Sequence, residues 1–252
     1  MRAKKSLGQN FLTSEKIVDE IISVGEISKN DEILEIGPGK GILTEKLLAK
    51  AGKVIAIEKD VELFQNLHKR FGKEIEEKRL ILVNQDILDL GDLPEKYKLI
   101  ANIPYNITGE ILKKFLSAKN QPSLMVLMVQ KEVAERVVAQ DGKESILSIS
   151  VKIFGTPKKI RVVPASFFKP KPKVDSAILL IKDISKKAFV DFGEENFFKI
   201  VKLGFSHKRK TIQNNLKGLL NSVNALKNCS IEPNERAERI SLEKWACLSK
   251  NL

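Results

Sequence analysis

Five short runs rich in Ile, Leu and Val punctuate the first half of the chain: DEILEIG (31–37), KVIAIEKD (53–60), RLILVNQD (79–86), YKLIANIPY (97–105) and SLMVLMVQ (123–130). Segments with helical spacing, such as ILTEKLLAKAG (42–52) and VELFQNLHKRFG (61–72), lie between them. Runs this apolar suit strands buried on both faces, and their alternation with amphipathic helices predicts a parallel sheet covered by helices, the doubly wound α/β arrangement. Ahead of them, TSEKIVDEIISVG (13–25) has apolar residues at helical spacing, with Thr13 or Ser14 available to cap its start and Gly25 to end it. KKIRVVP (158–164) and VDSAILLIKD (174–183) read as two further strands, expected as an antiparallel pair closing the sheet edge. Between them KPKPK (169–173) must be extended, because each proline disfavours helix in the residue before it. From about Ser185 the pattern changes: EENFFKIVKLGF, KTIQNNLKGLLNSV, NERAERI and LEKWACLSK all have helical spacing. The expected organisation is a Rossmann-like α/β domain over 1–184 and a smaller all-helical domain over 185–252.

Ligands of doubly wound sheets bind outside the carboxyl ends of the strands, so the residues ending each run carry the functional reading. The first run ends in Gly37-Pro38-Gly39-Lys40-Gly41, the second in Glu58, the third in Asp86 and the fourth in Asn102-Ile103-Pro104-Tyr105. Glycines at alternate positions fit a turn that lets backbone approach a ligand, and equally an ordinary strand-to-helix turn. Glu58 follows Gly37 by 21 residues, where a nucleotide-binding βαβ unit carries the acid that accepts from ribose hydroxyls. The dehydrogenase fingerprint needs a third glycine at 42, which is Ile42. A nucleoside ligand without phosphates therefore fits better than a dinucleotide, and S-adenosylmethionine is such a ligand. Asp86 reads either as part of that site or as a helix cap. In NIPY, Asn102 offers a side-chain carbonyl and Ile103 a backbone carbonyl to an adenine amine, and Tyr105 offers a face on which the base can stack. A strand ending in a proline turn with a half-buried tyrosine is the plain alternative.

The chain resembles the ribosomal RNA adenine N6,N6-dimethyltransferases, and within them the small-subunit branch. The similarity runs through KKSLGQNFL, EIGPGKGILT, Glu58, QDIL, NIPYNIT, SILSISV, FFKPKPKVDSAI, GFSHKRKTIQNNL and PNERAERIS. The resemblance implies transfer of methyl groups from S-adenosylmethionine, giving S-adenosylhomocysteine, to two adjacent adenosines near the 3′ end of 16S rRNA during small-subunit biogenesis. It implies that Asn10, Leu12, Gly37, Gly39, Glu58, Asp86 and Asn102 surround the cofactor. Asn102 and Tyr105 then face the target base, with Phe168, at the head of F-x-P-x-P, on its other side. The sister enzymes that methylate an adenine of 23S rRNA share NIPY, and a non-catalytic assembly factor on the same scaffold is the rival of a different class. FSHKRK carries Lys208 where the commoner pattern has a second arginine.

Charge fits an RNA partner. The formal net charge is +12, and no acid occurs between Glu144 and Asp175 or between Glu195 and Glu232, stretches that hold seven Lys or Arg each. A solvated face is the alternative for either run. HKRKTIQNNL is further expected to hold phosphate against a helix N-terminus. Cys229 and Cys247 match no metal or redox spacing and are expected to be reduced. His68 and His207 are too far apart in sequence to suggest a metal site. The basic start leads into no apolar signal core, and no apolar stretch approaches the roughly 20 residues a membrane span needs. A cytoplasmic monomer is expected.

Overall fold

The alternating apolar runs become one seven-stranded sheet in the computed structural model, which describes residue 4 and residues 8–91, 93–139 and 141–252. Residues 5–7 of the N-terminal motif lie outside the described residues. The chain forms two compact units, Met1–Ala134 with Pro157–Ile184, and Glu135–Thr156 with Ser185–Leu252. The second unit thus takes in 135–156 as well as the segment that begins at Ser185.

The first unit runs β1 (Phe11–Leu12), α1 (Glu15–Val24), β2 (Glu32–Ile36), α2 (Ile42–Lys50), β3 (Lys53–Glu58), α3 (Val61–Arg70), α4 (Gly72–Glu76), β4 (Leu80–Asn84), β5 (Lys98–Asn102), α5 (Thr108–Leu116), β6 (Leu124–Gln130) and into α6 (Lys131–Val138). Strands β4, β3, β2, β5 and β6 lie side by side and parallel, with Glu35 opposite Ala56 and Asn102 opposite Met128. Parallel alignment brings the ends of β2 to β5 to one edge of the sheet. After α7 (Ile146–Lys152) come β7 (Thr156–Val163), β8 (Phe168–Lys169) and β9 (Ser176–Lys182). The two late strands do close the sheet edge: β9 pairs antiparallel with β6, and β7 takes the outer place beside β9. The apolar residues of α1, Ile17, Val18, Ile21 and Ile22, are buried, each contributing about 1.5–3 kcal/mol. Outside this sheet, β1 and β8 form a two-stranded antiparallel ribbon, with Leu12 opposite Phe168.

The second unit contains α7, α8 (Glu194–Gly204), α9 (Ile212–Leu216), α10 (Ser222–Asn228) and α11 (Leu242–Asn251). Phe154 stacks with Phe198 and meets Phe189 at a tilt, which explains why its segment belongs here. The ring of Trp245 stacks on Phe205 at 5.5 Å between centroids. KTIQNNLKGLLNSV does not form the continuous helix its spacing suggested, because Asn221 adopts φ +60° and divides α9 from α10. NERAERI yields only a 3₁₀ turn, Ala237–Arg239. The expectation of reduced cysteines is also corrected, since Cys229 and Cys247 form a disulfide. Their 18-residue separation matches no local motif, and it is the packing of α10 on α11 that brings the Cα atoms to 5.7 Å.

Candidate active site

Beyond β2 the chain turns through Gly37, Gly39 and Gly41, all at positive φ, into α2. Gly37 donates its N–H to Ile57 O, so the turn grows out of the β2–β3 pairing. A Cβ at Gly37 would meet no atom within 4 Å and would project into the cleft that Gly37 lines. At Gly39 a Cβ would come 3.0 Å from the Phe11 ring, so glycine there lets the N-terminal arm lie on the turn. Lys40 Nζ sits 5.1 Å from the centre of the same ring.

The strand ends supply the other walls. Glu58 is buried, its Oε2 accepting from Gly39 N–H at 3.1 Å and its Oε1 from Asp60 N–H at 2.9 Å. Burial raises its pKa, and those backbone donors oppose the rise. Asp86 caps the 3₁₀ turn Ile87–Asp89 through Leu88 N–H and also accepts from Lys59 Nζ at 2.5 Å, which holds its pKa low. Asp86 thus caps a turn and also lines the cleft. Asn102 donates Nδ2–H to Asn10 O at 3.1 Å. The hydroxyl of Tyr105 lies 2.6 Å from that of the buried Ser176, and burial raises its pKa.

Asn10, Leu12, Gly37, Gly39, Glu58, Asp86, Asn102 and Tyr105 line this one cleft. Phe168 does not: it is 1% exposed and packs in the core with Leu12, whereas its neighbour Phe167 is 36% exposed. Glu35 is a residue that sequence reasoning passed over. It is 1% exposed, burial pushes its pKa up to about 8, and its Oε2 has no hydrogen-bond partner although the residue lines the cleft. The signal was present in the sequence, as a carboxylate set between Leu34 and Ile36 in the interior of an apolar strand. Gln9, Asp60 and Ser176 were missed as well, because their contacts join segments far apart in the chain.

A ligand with a cationic head, a ribose and a flat base fits these donors and acceptors. The orphaned Glu35 oxygen suits an ammonium group, the open side of Gly37 gives room, and Glu58 keeps lone pairs for hydroxyls. Among the described residues no group of three or more His, Cys, Asp or Glu could hold a metal ion. Among them too, no helix is long and apolar enough to cross a membrane.

The two basic runs differ in space. In the first, Arg161 pairs with Glu20 at 2.7 Å and Lys152 with Glu144 at 2.6 Å. In the second, Lys208, Arg209 and Lys210 are exposed, and among the described residues none of the seven cations is ion-paired. The helix after them is only five residues long, and its first N–H groups are taken, Ile212's by Glu235 O and Gln213's by Pro233 O. Phosphate at that helix N-terminus is thus not what the geometry offers, and the side chains remain.

The family model described as ribosomal RNA adenine dimethylase matches residues 1–252. Ribosomal RNA small subunit methyltransferase A of Dehalococcoides mccartyi strain 195 is 43% identical over 260 residues, covering 98% of this chain and 88% of that protein. A dimethyladenosine transferase structure from Plasmodium falciparum superposes with TM-score 0.83 at 29% identity, covering 94% of this chain and 95% of that one. The 23S rRNA methyltransferase ErmE superposes with TM-score 0.78 at 26% identity, covering 96% and 99%.

Proposed function

Because the chain belongs to the ribosomal RNA adenine dimethylase family, we propose that it dimethylates N6 of two adjacent adenosines near the 3′ end of small-subunit rRNA, with S-adenosylmethionine as methyl donor. One observation carries the reading: the NIPY segment, able to hold an adenine, lines the same cleft as the Gly37 turn and Glu58. When bound, S-adenosylmethionine supplies an electrophilic methyl group on sulfur and leaves as S-adenosylhomocysteine.

The residues present divide the work. Gly37, Gly39 and Asn10 bring backbone against the cofactor, Leu12 covers it, Glu58 accepts from its ribose, Asp86 accepts from its adenine amine, and Glu35 receives its ammonium. Asn102 Oδ1 accepts a hydrogen bond from the target amine, and Tyr105 stacks on the target ring and fixes its tilt. The family resemblance gives the far side of the base to Phe168. It lies under Leu12 here, so reaching the base requires the β1–β8 ribbon to shift. No side chain assigned to the base acts as a proton acceptor: Asn102 does not titrate, and the pKa of Tyr105 is raised above its ordinary value of about 10. The proton leaves the amine for water after the methyl group has been accepted, and catalysis comes from alignment and from hydrogen bonds to the developing cation. Lys208, Arg209 and Lys210 contact RNA phosphates. The reading carries with it a cytoplasmic monomer acting on the small ribosomal subunit.

The test is mass spectrometry of adenosines in unmethylated small-subunit RNA after incubation with protein and S-adenosylmethionine. Two dimethylated adjacent adenosines are expected. Modification of 23S rRNA alone would favour the sister activity, and cofactor-independent RNA binding without modification would favour an assembly factor.

A further inference from the structure

Residues 8–12 of the N-terminal arm form one wall of the cleft. The arm is tethered at its end by the β1–β8 ribbon and by Thr13, whose N–H and hydroxyl both donate to Phe167 O. Ahead of Phe11, apart from the bond of Asn102 to Asn10 O, the arm is tethered by Asp60. Gln9 Nε2 donates to Asp60 Oδ2 at 3.0 Å, and Lys4 Nζ lies 2.9 Å from Asp60 Oδ1. Asp60 itself is only 4% exposed. It caps α3 through Glu62 N–H and Leu63 N–H, and its own N–H donates to Glu58. A carboxylate fixed by a helix cap is a rigid anchor for the arm.

The anchored stretch makes a consequential contact, from Asn102 Nδ2 to Asn10 O at 3.1 Å. A side-chain amide can present either its oxygen or its NH₂, and only the oxygen can accept from an adenine amine. A backbone carbonyl accepts and never donates, so Asn10 O draws the NH₂ toward the arm. Oδ1 is left without a donor among the described residues. We propose that Asp60 is a positioning residue: through Gln9 it holds the arm where the carbonyl of Asn10 fixes the Asn102 amide in the orientation that accepts from the target amine. The proposal rests on the methyltransferase reading for its consequence, though not for the anchor itself.

Gln9→Glu sets a carboxylate against Asp60 and breaks the anchor. Combining it with Asp60→Asn restores a donor and an acceptor with exchanged roles, and Asn caps a helix as well as Asp does. Amide hydrogen exchange of residues 8–12 without cofactor should rise at least tenfold in Gln9→Glu and return to within about threefold of wild type in the paired variant. Single-turnover methyl transfer, with cofactor and RNA saturating, should fall about tenfold and recover in parallel. Saturation separates orientation of Asn102 from weakened cofactor binding, and melting temperature confirms that each variant is folded. Unchanged arm exchange in Gln9→Glu would overturn the anchor, and an opened arm with a wild-type saturated rate would overturn the positioning role. A wild-type chain that transfers no methyl group would defeat the methyltransferase reading instead, while arm exchange still judged Asp60.

Discussion

At the carboxyl edge of the sheet, Glu35 keeps a buried oxygen without a partner, and Gly37 and Gly39 hold positive φ where they line the cleft. The helical unit is built around aromatic packing instead. Phe154, Phe189, Phe192, Phe197 and Phe198 fill its interior ring against ring, Trp245 lies on Phe205, and a disulfide ties α10 to α11. A buried polar atom left unmet costs about 1–3 kcal/mol; Glu144 Oε2, Glu235 Oε2 and Trp245 Nε1 in the helical unit also lack partners, but Glu35 Oε2 belongs to a residue that lines a cleft, where a ligand can return that stability. The contrast locates chemistry in the cleft and cohesion in the helical unit. It breaks if changes in the cleft chiefly unfold the protein, or if changes in the helical core chiefly affect turnover.

The largest effect is expected at Asn102. Removing one hydrogen-bonding group aimed at developing charge costs on the order of 10²–10³ in rate. Asn102→Ala should lose that much in single-turnover methyl transfer while its midpoint in urea stays near wild type, because the side chain is only half-buried. A loss of activity accompanied by an equal collapse of stability would erase the distinction between the two regions.

Reduction of the Cys229–Cys247 bond is the matching experiment on the helical unit. Releasing a cross-link across 18 residues should cost about 3 kcal/mol. The sole tryptophan, Trp245, belongs to this unit, so its fluorescence in a urea titration with and without reductant reports the loss. Methyl transfer below the transition should be unaffected. Thiol titration of denatured, unreduced protein should find no free thiol.

Local pattern carried the sheet and the cleft far better than the helical unit. Strands buried on both faces announce themselves as apolar runs, and the groups that end them, from Gly37 to Tyr105, were legible because parallel alignment alone brings them together. Phe168 was not, since an FF pair on a two-residue strand has no periodicity to say which ring faces the core. Membership of 135–156 in the second unit rests on the Phe154 contacts, and the disulfide rests on helix packing, neither of which has a sequence spacing of its own. Gln9 reads as one more polar arm residue until Asp60, 51 positions away, is beside it. The acid-free stretch before Asp175 could not reveal the pairing of Arg161 for the same reason, because Glu20 approaches it from elsewhere in the chain.

Glu35 gives the smallest effect and the finest test of the contrast. Burial raises its pKa from 4.5 to about 8, so the folded protein keeps it neutral where the unfolded chain ionises it. A raised folded pKa means that its contribution is fully present below pH 4.5, declines as pH rises, and is gone above about 8. Glu58 is shifted in the same direction, while Asp60 and Asp86 are shifted down, so their contribution is present at neutral pH and lost only as the pH falls into acid. Between pH 5 and 8, stability of the cofactor-free protein should therefore fall by about 1 kcal/mol per unit through Glu35, the slope that one proton per molecule allows. Glu35→Gln should flatten that slope in urea titrations. An ammonium placed beside the carboxylate favours its charged form, so saturating S-adenosylmethionine should flatten the wild-type slope too, and binding at pH 7 should release a proton to buffer. Calorimetry in two buffers of different ionisation heat measures that proton. A wild-type slope that survives in Glu35→Gln, with no proton released on binding, would mean that Glu35 is an inert core residue and that the cleft holds no unmet group for a ligand to satisfy.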